Sequence, residues 1–175
     1  MLVWPHLAEA AEKKAKKRPL NYSSALAETT TAVTDVTLGD VFKTGQEDFK
    51  KGRIDEALRA FQAVRTYTEE NLQFMKCAGD AYDKALGDQN LSQSQREDLF
   101  LKKQRITTLS SRYGRIRGES AYFMGAAYAK RGDTAQARKY LLEACRTLPF
   151  SLDQASPWMK AKALFLSLSI LDGEF

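Results

Sequence analysis

Residues 121–149, AYFMGAAYAKRGDTAQARKYLLEACRTLP, decide the fold. Apolar and small residues recur there at spacings of three and four on both sides of Gly132, which is typical of two amphipathic helices joined by a tight turn. Gly132 is expected to end the first helix in a left-handed conformation. Asp133, with Gln136 three residues later, is expected to cap the second. The stretch therefore predicts a helical hairpin.

The same pattern occurs twice more along the chain. Residues 41–64, VFKTGQEDFKKGRIDEALRAFQAV, repeat it at the same offsets, and residues 75–86, MKCAGDAYDKAL, begin a further copy in which Gly79 follows Gly45 by 34 residues. We expect the first glycine of each copy to face a buried alanine, because only small side chains let two helices cross closely. The matched pairs are Gly45 and Gly125, Gly52 and Gly132, Ala57 and Ala137, and Phe61 and Leu141.

These repeats resemble the tetratricopeptide repeat (TPR), a unit of 34 residues that forms a helical hairpin. The resemblance implies an all-α, right-handed superhelical array at 38–151, made of hairpins at 38–71, 72–117 and 118–151. The first copy departs from the family pattern, since Asp48 stands where an aromatic residue belongs and Glu69 where proline often closes the unit. The third copy matches the family at Met124, Gly125, Tyr128, Ala137, Leu141, Ala144 and Pro149.

The middle copy is longer than the others. Gly79 and Gly125 lie 46 residues apart, 12 more than the period of the repeat. The polar residues 87–95 predict a loop, and Ser94 with Glu97 predicts a capping box for a long helix to about residue 113. Residues 114–118, GRIRG, predict a turn between helices. The apolar stripe of the long helix is Leu99, Ile106, Leu109 and Tyr113.

Further helices flank the array. Residues 1–37 predict a basic helix at 4–18 followed by a threonine-rich connector. Residues 152–175 predict a capping helix that starts at Ser156-Pro157 and covers the open face of the third hairpin. This helix is more apolar than a solvent-facing cap should be, which indicates that another helix or a partner, including a second copy of the chain, packs on it.

The composition disfavours enzymatic and metal chemistry. A single histidine, His6, leaves little for a catalytic triad or a multi-histidine metal site, and no CxxC pair is present. We expect no enzymatic activity and no cofactor or metal. Cys77 and Cys145 are expected to be reduced thiols between helices, with one disulfide as the alternative in an exported protein. No apolar run approaches the ~18 residues of a membrane helix, and the first residues do not follow the order of a secretory signal, so we expect a cytoplasmic protein unless an upstream segment has been removed.

The resemblance implies that the first helix of each repeat lines a concave groove that holds a partner peptide. The groove would suit a peptide with apolar anchors and some negative charge, unless a terminal helix of the chain itself fills it. The lysine and asparagine clamp with which some family members hold acidic chaperone tails is absent. The expected groove residues are Phe42, Lys43, Gln46, Phe49, Lys50, Lys76, Asp80, Lys84, Tyr122, Phe123 and Lys130.

The net charge of +5 is concentrated in one segment. This basic patch binds nucleic acid or another anionic surface, meets an acidic protein, or only solubilises a helix face. The sequence favours a non-enzymatic interaction module, namely an adaptor, scaffold or assembly subunit, over the alternative of nucleic-acid or anionic-surface binding. The patch consists of Lys102, Lys103, Arg105, Arg112, Arg115 and Arg117.

Overall fold

The computed structural model describes residues 33–170, which form five α-helices and no strand. The all-α prediction is confirmed for this part of the chain. The predicted helix at 4–18 and the last residues of the capping helix, 171–175, lie outside the described residues. The helices are α1 (Leu38–Lys50), α2 (Ile54–Leu86), α3 (Gln93–Lys130), α4 (Thr134–Thr147) and α5 (Pro157–Ser169).

Local sequence sets most of the helix ends. Gly52 and Gly132 adopt φ angles of 77° and 83°, as predicted for the turns before α2 and α4. The carboxylate of Asp133 accepts from the Gln136 backbone N–H at 3.0 Å, which confirms the predicted cap of α4. The capping box of α3 is formed by Ser92 and Gln95, so its prediction at Ser94 and Glu97 was two residues late.

The helices α2 and α3 are long and continuous, and this overturns the predicted turn at residues 114–118 and two predicted hairpin boundaries. With 33 and 38 residues they extend about 50 Å and about 57 Å. The predicted hairpin boundaries at 71/72 and 117/118 therefore fall inside helices, and the GRIRG stretch is not a turn. A glycine inside a helix costs only about 1 kcal/mol, and Gly118 is used for packing, because a Cβ there would lie 2.8 Å from Leu148 Cγ.

The first and third hairpins are equivalent in their packing. Their buried positions repeat at a constant offset of 80 residues, as the sequence alignment predicts for Phe61 and Leu141. A Cβ at Gly45 would lie 2.9 Å from Phe61 Cε1, and one at Gly125 would lie 2.6 Å from Leu141 Cγ. The close contact of each glycine is thus this larger residue, rather than the predicted alanine. The corresponding buried pairs are Ala57 and Ala137, Phe61 and Leu141, Val64 and Ala144, and Thr68 and Leu148.

The middle hairpin has a different environment. We call residues 72–111 the arm and the other described residues the body. In the arm, the second half of α2 packs against the first half of α3, as shown by the Ser110 hydroxyl 3.4 Å from the Met75 sulfur. Met75 is the only buried residue of the arm, and Gly79, unlike Gly45 and Gly125, has no atom within 4 Å of a Cβ position. The arm is a single layer of two helices.

The C-terminal helix α5 covers the third hairpin, as predicted. Its start is capped by the Ser156 hydroxyl, and the Trp158 indole N–H donates to the Cys145 carbonyl at 3.0 Å. Leu164, Phe165 and Leu168 pack on the core formed by α3 and α4, which accounts for the apolar character of the helix. Among residues 33–170, no helix is long and apolar enough to cross a membrane.

Candidate functional site

The aromatic residues predicted to line the groove pack against each other in the body. The ring centroids of Phe42 and Phe49 lie 5.9 Å and 5.8 Å from that of Phe123, which stacks on the buried Phe61 at 5.2 Å. The continuous α2 and α3 direct the middle hairpin into the arm, so the third hairpin packs on the first and these rings meet. Phe42, Phe49 and Phe123 are therefore core-packing residues more than open anchors.

Other predicted groove residues of the body keep more exposure. Lys43 and Lys50 are exposed, and Gln46 and Tyr122 are half-buried. Burial raises the pKa of the Tyr122 phenol. The Lys130 ammonium lies 4.2 Å from the centre of the Phe49 ring, at cation–π distance.

Near these residues, Glu119 is a half-buried carboxylate on α3. Burial raises its pKa, and Arg115 at 3.9 Å acts in the opposite direction. Glu119 therefore has a single weak ion pair and is a candidate contact for a cationic group.

The remaining predicted groove residues belong to the arm. Lys76 and Asp80 line an open groove of about 540 Å³ between α2 and α3, and Lys84 is exposed one helical turn beyond Asp80. We call this the arm groove. Its two sides meet at the ion pair of Asp83 with Lys103. The residues that line it are Leu72, Met75, Lys76, Gly79, Asp80, Asp83, Lys103, Ile106, Thr107, Ser110 and Ser111.

The arm groove combines an apolar base with polar walls. Leu72, Met75 and Ile106 supply apolar side chains where the two helices meet. Gly79 leaves space between the helices, because it carries no side chain and nothing lies within 4 Å of its Cβ position. Hydroxyl groups and charged side chains line the walls of the groove. A cleft with an apolar base and a few polar groups is the usual form of a binding site.

Sequence reasoning missed the α3 side of this groove. The predicted stripe on α3 is confirmed as its packing face, since Ile106 and Leu109 contact the core around the buried Tyr113. Periodicity identifies that face but not its register against α2, so Thr107 and Ser111 gave no signal of a site. Tyr113 also donates to Asp35 Oδ1 at 2.5 Å, and burial together with this bond raises its pKa.

Most residues of the predicted basic patch have acidic partners. Arg117 binds Glu143 at 3.2 Å and also lies 3.8 Å from Glu69. In the described part of the chain, Arg105 is the one patch residue without an ion pair. The other pairs are Lys102 with Asp98, Lys103 with Asp83, Arg112 with Asp35, and Arg115 with Glu119.

The patch contributes to a network that ties three helices together. Arg65 on α2 reaches Glu143 on α4 with its Nε at 3.0 Å and its Nη2 at 3.2 Å, while Arg117 on α3 reaches the same carboxylate. All three side chains are at most about a quarter exposed. Glu69 lies 3.5 Å from Arg65 and 3.8 Å from Arg117, so with Glu69 the network holds two positive and two negative charges and stabilises the body.

The cysteines and acidic groups add no metal or disulfide site in residues 33–170. Both thiols are free. Cys145 lies partly buried, and burial raises its pKa, whereas Cys77 is exposed on the arm, which contradicts its prediction as a packing thiol. No cluster of three or more histidine, cysteine, aspartate or glutamate side chains in this part of the chain is placed to hold a metal ion.

The chain matches no protein-family model, no curated protein and no solved structure.

Proposed function

We propose that this protein is a non-enzymatic interaction module, and that its arm groove binds a segment of a partner polypeptide. The observation that carries the proposal is the open groove of about 540 Å³ in a two-helix layer. The body contains most of the buried residues, and the arm presents the groove away from this main core. A peptide with one apolar anchor would reach the space at Gly79, while Lys76 and Asp80 offer contacts to charges on either side of it.

We also propose that the first and third hairpins are TPR-like repeats. Their matched glycine turns at Gly52 and Gly132, and the buried pairs at a constant offset, support this proposal. On this view the arm is the middle repeat, enlarged and fused at both ends to its neighbours. The face of α1 and α3 around Glu119 and Tyr122 is then a second contact surface for the same partner.

The experiment uses a peptide phage-display library as the probe, because it does not require a known partner. Peptides selected on the full chain would be measured by fluorescence polarisation against Gly79→Leu and Ala81→Leu. The first substitution fills the groove, and the second adds the same side chain at an exposed position of α2 outside it. We expect at least about tenfold weaker binding for Gly79→Leu alone, which corresponds to about 1.4 kcal/mol.

A loss of folding stability is not expected to account for weaker binding by Gly79→Leu. Leucine is a better helix former than glycine by about 0.8 kcal/mol, so Gly79→Leu is expected to leave the melting temperature unchanged or higher. If the selected peptides bind Gly79→Leu as tightly as the wild type, the arm groove is not the site.

A further inference from the structure

The outer face of the arm exposes two consecutive apolar residues. Phe100 and Leu101 on α3 are 68% and 66% exposed. They do not belong to the face that packs on α2, which is formed by Ile106 and Leu109. Single exposed apolar residues are common on proteins and carry no meaning alone, so the charges beside them matter.

The exposed Leu101 lies between two charges without ion-pair partners. Glu97 precedes it by four residues and Arg105 follows it by four, so the three side chains share one face of the helix. Neither Glu97 nor Arg105 forms an ion pair in the described part of the chain. By contrast, the neighbouring Lys102 pairs with Asp98. Glu97 only accepts a hydrogen bond from the Gln93 amide at 2.8 Å.

This order of acidic, apolar and basic residues is complementary to itself. Two copies of α3 that cross antiparallel about a two-fold axis at Leu101 bring the two Leu101 side chains together. The same axis places Glu97 of each copy opposite Arg105 of the other, on both sides of the axis. Two-fold interfaces of identical chains require such a self-complementary surface.

The neighbouring residues fit the same axis. Phe100 lies about 100° around the helix from Leu101, so the axis sets Phe100 of both copies on the same flank of the contact. It also sets Ser94 opposite Thr108, two small polar residues that do not obstruct the approach. Like charges are not brought opposite each other at any of these positions.

We propose that a second copy of this chain docks antiparallel on α3, with Leu101 at the two-fold axis and two reciprocal Glu97–Arg105 ion pairs. The contact involves about four helical turns of each copy. The surface area that it buries is therefore less than the roughly 1,200 Å² of a standard stable interface. The dimer is therefore a weak one that forms at high micromolar concentration. Its surface lies on the outer side of α3 and does not depend on the proposed peptide site.

The test is sedimentation equilibrium on the full chain from micromolar to millimolar concentration. We expect a reversible monomer–dimer equilibrium. Glu97→Arg and Arg105→Glu, made singly, place like charges opposite each other and should raise the dissociation constant at least about tenfold. Glu97→Arg and Arg105→Glu combined in one chain restore the complementarity, and the dissociation constant should return to within about threefold of the wild type.

The double variant separates docking from effects inside one helix. Residues eight apart are separated by about 12 Å along the helix, so Glu97 and Arg105 of the same chain do not pair. Leu101→Asp should abolish dimer formation. Phe74→Asp should not change it, since Phe74 is 71% exposed on α2 of the same arm and lies outside the proposed contact.

Three results would overturn the proposal: a wild type that is monomeric at every concentration, single variants that dimerise as well as the wild type, or a double variant no better than the single ones. The proposed peptide site is judged separately, because Leu101→Asp should leave the binding of selected peptides unchanged.

Discussion

The body and the arm contain halves of the same two helices but have different physical characters. In the body, α2 packs against α1 and α3 and forms an ion pair with α4, and Phe61 and Val64 are fully buried. In the arm, α2 lies along α3, and none of residues 76–112 is buried. Although α2 and α3 run unbroken through both regions, tertiary contacts do not stabilise the two halves of each helix equally. We expect the body to hold most of the folding free energy and the arm to hold the accessible surfaces.

The largest difference in the free energy of unfolding is expected between alanine substitutions of a buried and of an exposed phenylalanine. Phe61→Ala removes a fully buried ring from the aromatic cluster and should lower the free energy of unfolding by about 3–5 kcal/mol. Phe74→Ala on the arm should change it by about 0.5 kcal/mol or less. Urea denaturation measures both. Equal losses would mean that the arm is packed as tightly as the body.

Substitution by alanine should change the free energy of unfolding in opposite directions at two glycines. Gly125→Ala places a Cβ 2.6 Å from Leu141 and should cost about 1–3 kcal/mol. Gly79→Ala meets no atom within 4 Å and should stabilise the arm by up to about 1 kcal/mol, because alanine is the better helix former. Thermal and urea unfolding provide the comparison. A stabilising Gly125→Ala would show that α3 and α4 can separate at little cost.

Ion pairs should also differ between the two regions. Glu143→Gln leaves Arg65 and Arg117 without their shared carboxylate in a partly buried site, which should cost about 1–3 kcal/mol. Asp98→Asn removes an exposed pair with Lys102 within one helix and should cost about 0.5 kcal/mol or less. The losses would be compared by urea denaturation at low and at high salt. If Asp98→Asn lowered the free energy of unfolding more than Glu143→Gln, the expected difference between the ion pairs of the body and the arm would be contradicted.

High pH should weaken the junction between body and arm. The raised pKa of Tyr113 means that folding favours the protonated phenol, so its contribution is complete below about pH 10 and is lost as the pH rises above that value. The slope from one such group is at most about 1.4 kcal/mol per pH unit. Tyr113→Phe should unfold with a shallower dependence above pH 10. An unchanged slope would assign the effect to other groups.

The smallest effect is expected for nucleic acid. Because most of the basic patch is paired within the chain, titration with single-stranded DNA should show at most weak binding, with a salt dependence equal to about one phosphate contact. Arg105→Ala should remove that contact. A steep salt dependence, retained in Arg105→Ala, would favour the alternative function of nucleic-acid or anionic-surface binding.

Prediction from the sequence succeeded where the signal is local. The left-handed turns at Gly52 and Gly132, the cap at Asp133 and the start of α5 at Ser156 depend on residues close in the chain, and all are found. The turn at GRIRG was wrong because glycine signals both a break and a close contact, and only the packing of Gly118 on Leu148 distinguishes the two.

The candidate site was predicted only in part for a related reason. Lys76 and Asp80 were identified from their place in the repeat, but the arm groove also requires Thr107 and Ser111 from the facing helix. Their position depends on the register between α2 and α3, which periodicity does not encode. Likewise, the charge of the basic patch could be counted, but its acidic partners lie as far away in sequence as Asp35.

The sequence by itself determined that the chain is helical, where the two equivalent hairpins turn and which residues they bury, because these depend on spacing within a helix and on backbone preferences at single residues. Only the tertiary structure decided that α2 and α3 run unbroken, that the middle hairpin becomes an arm with an open groove, and that Lys103, Arg112 and Arg117 of the basic patch pair with acidic side chains distant in sequence. Each of these depends on contacts between residues distant in sequence, and their free energy outweighs the local cost of a glycine within a helix.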